Sequence, residues 1–201
     1  WLQVYKEESE RGANEHCDRL FLSRPKGYRA IAPTGSISIL AGTTSGIEPV
    51  FAKAYIRRYI EEGHKWKAQY VVDATAQALI DLGINPDKIQ TAYDLSSTMK
   101  GLDKRMELQA ETQEFVDHSI SSTVNIQSGV DVGVMSKLII KYTKERYERG
   151  LAYLRGITVY PDGARGGQPM KEVSYEEAIK KRNVILEDNS EEQCLTGVCG
   201  I

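Results

Sequence analysis

Three short runs of β-propensity residues, Tyr28–Ala32, Ser121–Ile126 and Gly156–Tyr160, are separated by long stretches of helical periodicity, and this rhythm constrains the fold most. Strands alternating with helices predict an α/β architecture with parallel strands. A fourth extended candidate, Phe51–Ile60, carries aromatic and β-branched residues. Helices are predicted over residues 1–21 and over Trp66–Leu82, where Val71, Ala74, Ala78 and Leu82 recur at helical spacing before Gly83 and Pro86. Further helices are predicted over Leu102–His118, from an Asp131 N-cap through Arg149 with Gly150 as its stop, and over Tyr175–Arg182. Three or four strands are too few to close a barrel or to build a doubly wound sheet. The sheet is therefore expected to be completed by another segment.

At 201 residues the chain has the size of about one domain. Hydrophobic residues at 41%, charged residues at 27% and a net charge of -2 predict no general attraction to nucleic acid or to an anionic membrane, so any anion must bind at a local site. No apolar run approaches the roughly 20 residues of a spanning helix, and a cytoplasmic, reducing compartment is expected. The opening Trp1-Leu2-Gln3-Val4-Tyr5 goes straight into a helical pattern, which predicts that something longer precedes it.

Two segments have the composition for chemistry. In Pro33-Thr34-Gly35-Ser36-Ile37-Ser38, Gly35 lets backbone come close to a ligand, Thr34 and Ser36 offer hydroxyls, and a helix starting near Ser36 would aim free N–H groups at an anion. Neither a Walker loop nor a G-x-G-x-x-G fingerprint is present, and the run taken alone also fits an ordinary turn and N-cap. Cys194 and Cys199, at a C-x4-C spacing on a polar tail expected to be mobile, fit a redox pair, half of a zinc site or two idle thiols. The remaining candidate metal ligands, Cys17, His16, His64 and His118, are scattered, and no metal site is predicted. Glu48 with Arg57 and Arg58 is expected to form a structural ion pair, with contact to phosphate as the alternative, while Arg165 and Asn125 are weaker candidates.

Ala30-Ile31-Ala32-Pro33-Thr34-Gly35-Ser36-Ile37-Ser38, followed by Ala41-Gly42-Thr43-Thr44-Ser45-Gly46-Ile47-Glu48-Pro49, closely resembles the C-terminal region of the ribonucleotide reductase catalytic subunit. Ser119–Ile126 and Gly156–Arg165 are similar to two further runs of that family in the same order, and Cys194 and Cys199 fall where the family keeps its shuttle thiols. The resemblance implies the C-terminal part of a ten-stranded α/β barrel over residues 1–170, with a short helix and a flexible C-terminal redox tail over 171–201. It implies that Thr34, Gly35, Ser36 and Ile37 bind the phosphates of a ribonucleotide. It also implies thiyl-radical reduction to deoxyribonucleotides, with thioredoxin or glutaredoxin delivering electrons through Cys194 and Cys199.

The family's N-x-C-x-E motif, which carries the radical cysteine, is absent, so catalysis is expected to need an N-terminal portion of the same reductase. Asn14-Glu15-His16-Cys17-Asp18 differs from it in order and spacing, and Cys17 is read as an ordinary cysteine. Val159 stands where enzymes served by a separate radical-generating subunit place the first of two adjacent tyrosines. Valine cannot relay an electron, and this favours adenosylcobalamin as the cofactor, as in class II enzymes. Ser122 and Pro161 replace a common lysine and arginine and mark a divergent member. The alternatives are a class I large-subunit fragment and a non-enzymatic phosphate-binding module with a regulatory thiol tail.

Overall fold

A computed structural model describes residues 1–61, 65–127, 130–161, 170–182 and 184–187. In chain order the elements are α1 (Leu2–Leu20), α2 (Gly35–Ala41), β1 (Ala54–Glu61), β2 (Lys65–Val72), α3 (Ala74–Asp81), α4 (Ala92–Ser96) and α5 (Met99–Thr112). There follow β3 (Thr123–Ile126), α6 (Val132–Ile140), a π-helical stretch Lys141–Glu145, α7 (Arg146–Glu148), β4 (Thr158–Pro161), β5 (Met170–Glu172), α8 (Tyr175–Lys180) and β6 (Ile185–Glu187). They divide into two compact units, Trp1–Glu48 with Leu95–Tyr160, and Pro49–Asp94 with the described residues from Pro161 onward.

In the first unit, helix α5 starts where Thr98 accepts a hydrogen bond from the Gly101 N–H at 3.1 Å. Gly101 must be glycine, because a Cβ there would meet the Leu95 carbonyl oxygen at 2.0 Å. Leu102, Met106 and Ala110 recur every four residues and put one α5 face into the core. Val124 and Ile126 of β3, Met135, Leu138 and Tyr142 from α6 and the π-helical turn, and Leu154 complete that core. Asp131 caps α6 by accepting from Gly133 N–H at 2.9 Å, as the sequence predicts. Tyr142 is sealed in the π-helical turn with its hydroxyl donating to Asp103 at 3.0 Å, and burial pushes its phenol pKa up.

Strand β3 pairs with β4, and Ile31 forms a parallel bridge with Ile120. The predicted strand Tyr28–Ala32 is thus reduced to a single bridge position. Gln109 of α5 ties this layer together from behind, donating to the carbonyls of Ile120 at 3.3 Å and Gly156 at 2.7 Å. Arg29, with 1% of its side chain exposed, locks α1 to the end of α5. It donates to the Phe115 carbonyl (2.7 Å), the Lys6 carbonyl (3.0 Å), Ser9 (2.9 Å) and Glu10 (2.6 Å), and pairs with Asp117 at 3.0 Å.

The second unit corrects two expectations. Its four strands run in the order β5-β1-β2-β6, and every pairing is antiparallel rather than parallel. Residues 66–72, predicted as the first part of a helix, belong to strand β2. Trp66, Tyr70, Val71 and Val72 favour a pleated surface, and the β1 partner adds eight paired positions from Ala54↔Val72 to Glu61↔Lys65. The helix begins only after Asp73, whose carboxylate accepts from the Thr75 and Ala76 N–H groups. Tyr70 lies under α8, its hydroxyl donating to Glu177 at 3.2 Å and accepting from Lys181 at 3.0 Å. The described sheets do not close a barrel.

Candidate functional site

The segment after the Ile31 bridge leaves the sheet at Pro33 and turns into α2. Thr34 occupies the N-cap position but does not cap the helix with its side chain. Its hydroxyl turns aside, accepting from the Gly46 N–H at 3.0 Å and lying 3.5 Å from the Ser45 hydroxyl. The first-turn N–H groups of α2 therefore have no side-chain cap, and they carry the positive end of the local helix dipole. Gly35 has open space where a Cβ would project, Ser36 is exposed, and Ile37 is 69% exposed. Ser38 is buried and donates to the Gly35 carbonyl at 2.9 Å, which stiffens the turn. All four predicted phosphate-loop residues thus lie on one short exposed turn.

The turn is moored to the sheet from its far end. Gly46 adopts a left-handed φ of 54°, and a Cβ there would come within 4 Å of the Ile31 side chain and the carbonyls of Ser121 and Ala32. Two residues on, Glu48 accepts from the Thr123 N–H at 2.6 Å. Arg105 of α5 donates to the Thr123 carbonyl at 3.0 Å; burial pushes its pKa down and the Glu48 charge works in the opposite direction. Neither Arg105 nor its link to Glu48 is predicted from the sequence, where Arg105 is one charge on an ordinary amphipathic helix.

Beside the turn lies an open groove of about 630 Å3, lined by residues 30–32, 118–122 and 156–158. The polar residues in its lining are His118, Ser119, Ser121, Ser122 and Thr158. These are small hydrogen-bonding groups suited to a phosphate or a sugar. They do not identify a seat for a macrocyclic cofactor, and no residue is assigned to one.

Cys194, Cys199 and Arg165 lie outside the described residues. Cys17 is half-buried on α1 as a free thiol. Among the described residues no cluster of three His, Cys, Asp or Glu side chains could hold a metal ion, and no helix is long and apolar enough to cross a membrane. Val159 packs against the core of the first unit. Arg58 lies over the Trp66 ring at 5.6 Å, and the hydrogen bond of Glu48 goes to Thr123.

The Ile31 bridge position is thus followed by a short helix whose start is exposed and has no side-chain cap. A family model for the ribonucleotide reductase barrel domain matches residues 27–151, which include this turn, the groove strands up to Ser122 and both mooring side chains. The chain belongs to the ribonucleotide reductase barrel-domain family. It is 28% identical over 158 residues to the vitamin B12-dependent ribonucleoside-diphosphate reductase of Mycobacterium tuberculosis, covering 69% of this chain and 21% of that protein. It is 22% identical to a putative adenosylcobalamin-dependent ribonucleoside-triphosphate reductase of Mycobacterium phage D29, across 100% of this chain and 32% of that protein. A crystal structure of a B12-dependent class II ribonucleotide reductase superposes with a TM-score of 0.56 at 13% identity, over 98% of this chain and 29% of that one. The chain thus spans between about a fifth and a third of the length of these relatives.

Proposed function

We propose that this chain is the C-terminal portion of an adenosylcobalamin-dependent ribonucleotide reductase, and that it binds the substrate's phosphates at Thr34, Gly35, Ser36 and Ile37. The observation that carries the reading is the exposed, uncapped turn of α2 inside the segment matched to the family. Three or four backbone N–H groups converging at a helix start suit a phosphate dianion, and Gly35 leaves its approach clear. The ribose and base would extend from there toward the missing portion of the barrel, which carries the N-x-C-x-E loop with the radical cysteine.

The cofactor assignment rests on the names of the relatives and on Val159, which interrupts a tyrosine relay. That cofactor would supply radical chemistry to the complete enzyme, and no residue described in this chain is assigned to hold it. The reduction replaces the ribose 2'-OH by hydrogen and releases water, and a cysteine pair on the enzyme supplies the two electrons by forming a disulfide. Cys194 and Cys199 are assigned the re-reduction of that disulfide, with thioredoxin or glutaredoxin as the ultimate reductant.

Reconstitution tests this reading. The chain combined with its upstream portion is expected to convert ribonucleoside di- or triphosphates to deoxyribonucleotides when adenosylcobalamin and a dithiol are supplied. Turnover that required a radical-generating protein subunit and ignored cobalamin would reject the cofactor assignment. An upstream portion without an N-x-C-x-E loop would reject the reductase reading.

A further inference from the structure

Hydrogen bonding along one edge of the strand that runs into β3 changes hands at the point where the candidate phosphate loop begins. Ser121 N–H donates to the Ile31 carbonyl at 2.8 Å, an ordinary link between neighbouring strands. Two residues on, the Thr123 N–H faces the same edge, because strand groups repeat with period two. Its partner is no longer backbone: the chain has turned away at Pro33, and the Glu48 carboxylate accepts that N–H at 2.6 Å. The Thr123 carbonyl on the same edge accepts from Arg105 at 3.0 Å. One carboxylate and one guanidinium thus take the two places that backbone groups of a continuing parallel strand would fill.

We propose that Glu48 and Arg105 are positioning residues for the Thr34–Ile37 turn: they continue the strand edge with side chains and so hold open the divergence from which the turn departs. Without them the Thr123 N–H and carbonyl would need other partners, and the nearest supply is the backbone that now forms the loop. Glu48 is also joined to the turn through the chain itself, since its N–H donates to the Ser45 carbonyl at 2.9 Å while neighbouring Gly46 donates to Thr34. A shift of Glu48 therefore displaces the Thr34 hydroxyl anchor directly. The inference rests on the phosphate-loop reading and adds to it a mechanism of preorganisation.

Local amide exchange in the full chain tests the pair. Glu48→Met keeps the side-chain length and removes the acceptor; Glu48→Gln keeps an acceptor oxygen. Peptides covering residues 34–46 are expected to exchange about tenfold faster in Glu48→Met, with those covering 102–110 unchanged, and Glu48→Gln is expected to stay near the parent chain. Arg105→Met is expected to accelerate the same peptides to a lesser degree. Unchanged exchange at 34–46 in Glu48→Met, equal effects of the Met and Gln variants, or acceleration spread over the whole unit would each overturn the positioning role. A separate arm compares ADP with adenosine on the parent chain. Protection of 34–37 by ADP alone supports the phosphate loop, and no protection by either rejects that reading whatever the variants do.

Discussion

Gly35 is the first residue of α2 and the most direct probe of the candidate site. Nothing lies within 4 Å of a Cβ built there, so a side chain fits without a clash. Gly35→Ala is therefore expected to fold normally, with a small gain from helix propensity. Gly35→Asp fits equally well but places a carboxylate among the N–H groups offered to phosphate. In the reconstituted enzyme it is expected to raise KM for the ribonucleotide about tenfold, a repulsion of roughly 1.4 kcal/mol, with a smaller change in kcat. Equal kcat/KM for the Ala and Asp variants would remove the loop from substrate binding. Away from the site, Asp117 serves structure. Burial works against its carboxylate, but the Tyr28 N–H, the Arg29 charge and the Arg29 N–H outweigh it and hold the pKa below the usual carboxylate range. A depressed carboxylate contributes stability that is fully present above the unfolded pKa of about 3.9 and is lost as pH falls through the folded value. Asp117→Ala is expected to lower unfolding stability at pH 7 by about 2 kcal/mol, since it strips a charged acceptor from the buried Arg29 guanidinium. The deficit against the parent chain should shrink once the pH drops below 4, and a deficit independent of pH would contradict the assignment.

At the scale of elements, the junction of β2 and α3 turns on one side chain. Asp73 sits at an extended ψ of 131° and its carboxylate accepts from both Thr75 and Ala76 N–H, which makes the strand end and the helix start at the same residue. Asp73→Ala removes that cap and is expected to cost about 1 kcal/mol, read as faster amide exchange in residues 74–81 with α5 and α6 unaffected. Helices α1, α5 and α6 are legible in the sequence because their signals are local: apolar residues three and four apart, the Asp131 cap and Gly150 with its positive φ. Strand β2 is not, because Val71 falls in helical register with Ala74 and Ala78 and masks the alternation of buried Ala68 and Tyr70. Pairing with β1 decides the conformation of residues 65–72, and no window of sequence contains that partner's register. The Tyr28–Ala32 run fails differently: its propensity is that of a strand, but only Ile31 makes a bridge among the described residues.

For the whole molecule, the divide between legible and illegible follows sequence distance. Thr34–Ile37 stands out because its composition and its resemblance are contiguous, whereas Glu48 and Thr123 are 75 positions apart and meet only in the folded unit. The large apolar side chains left exposed in the first unit, among them Ile37, Ile39 and Leu40 at 90%, fit a unit that forms part of a larger barrel. On the proposed reading, the thiol tail would serve as a delivery device for chemistry carried out on other residues. In such a reductase each turnover would leave one disulfide in the active site, to be restored by thiol–disulfide exchange with an incoming dithiol. If Cys194 and Cys199 perform that exchange, Cys194→Ser in the complete enzyme blocks the second turnover and not the first. Rapid-quench measurement on prereduced enzyme is expected to give about one deoxynucleotide per active site for the variant, against continuing turnover with thioredoxin for the parent. Loss of the first turnover as well would place Cys194 in the reduction step itself, and undiminished steady-state turnover with thioredoxin would remove the tail from the electron path.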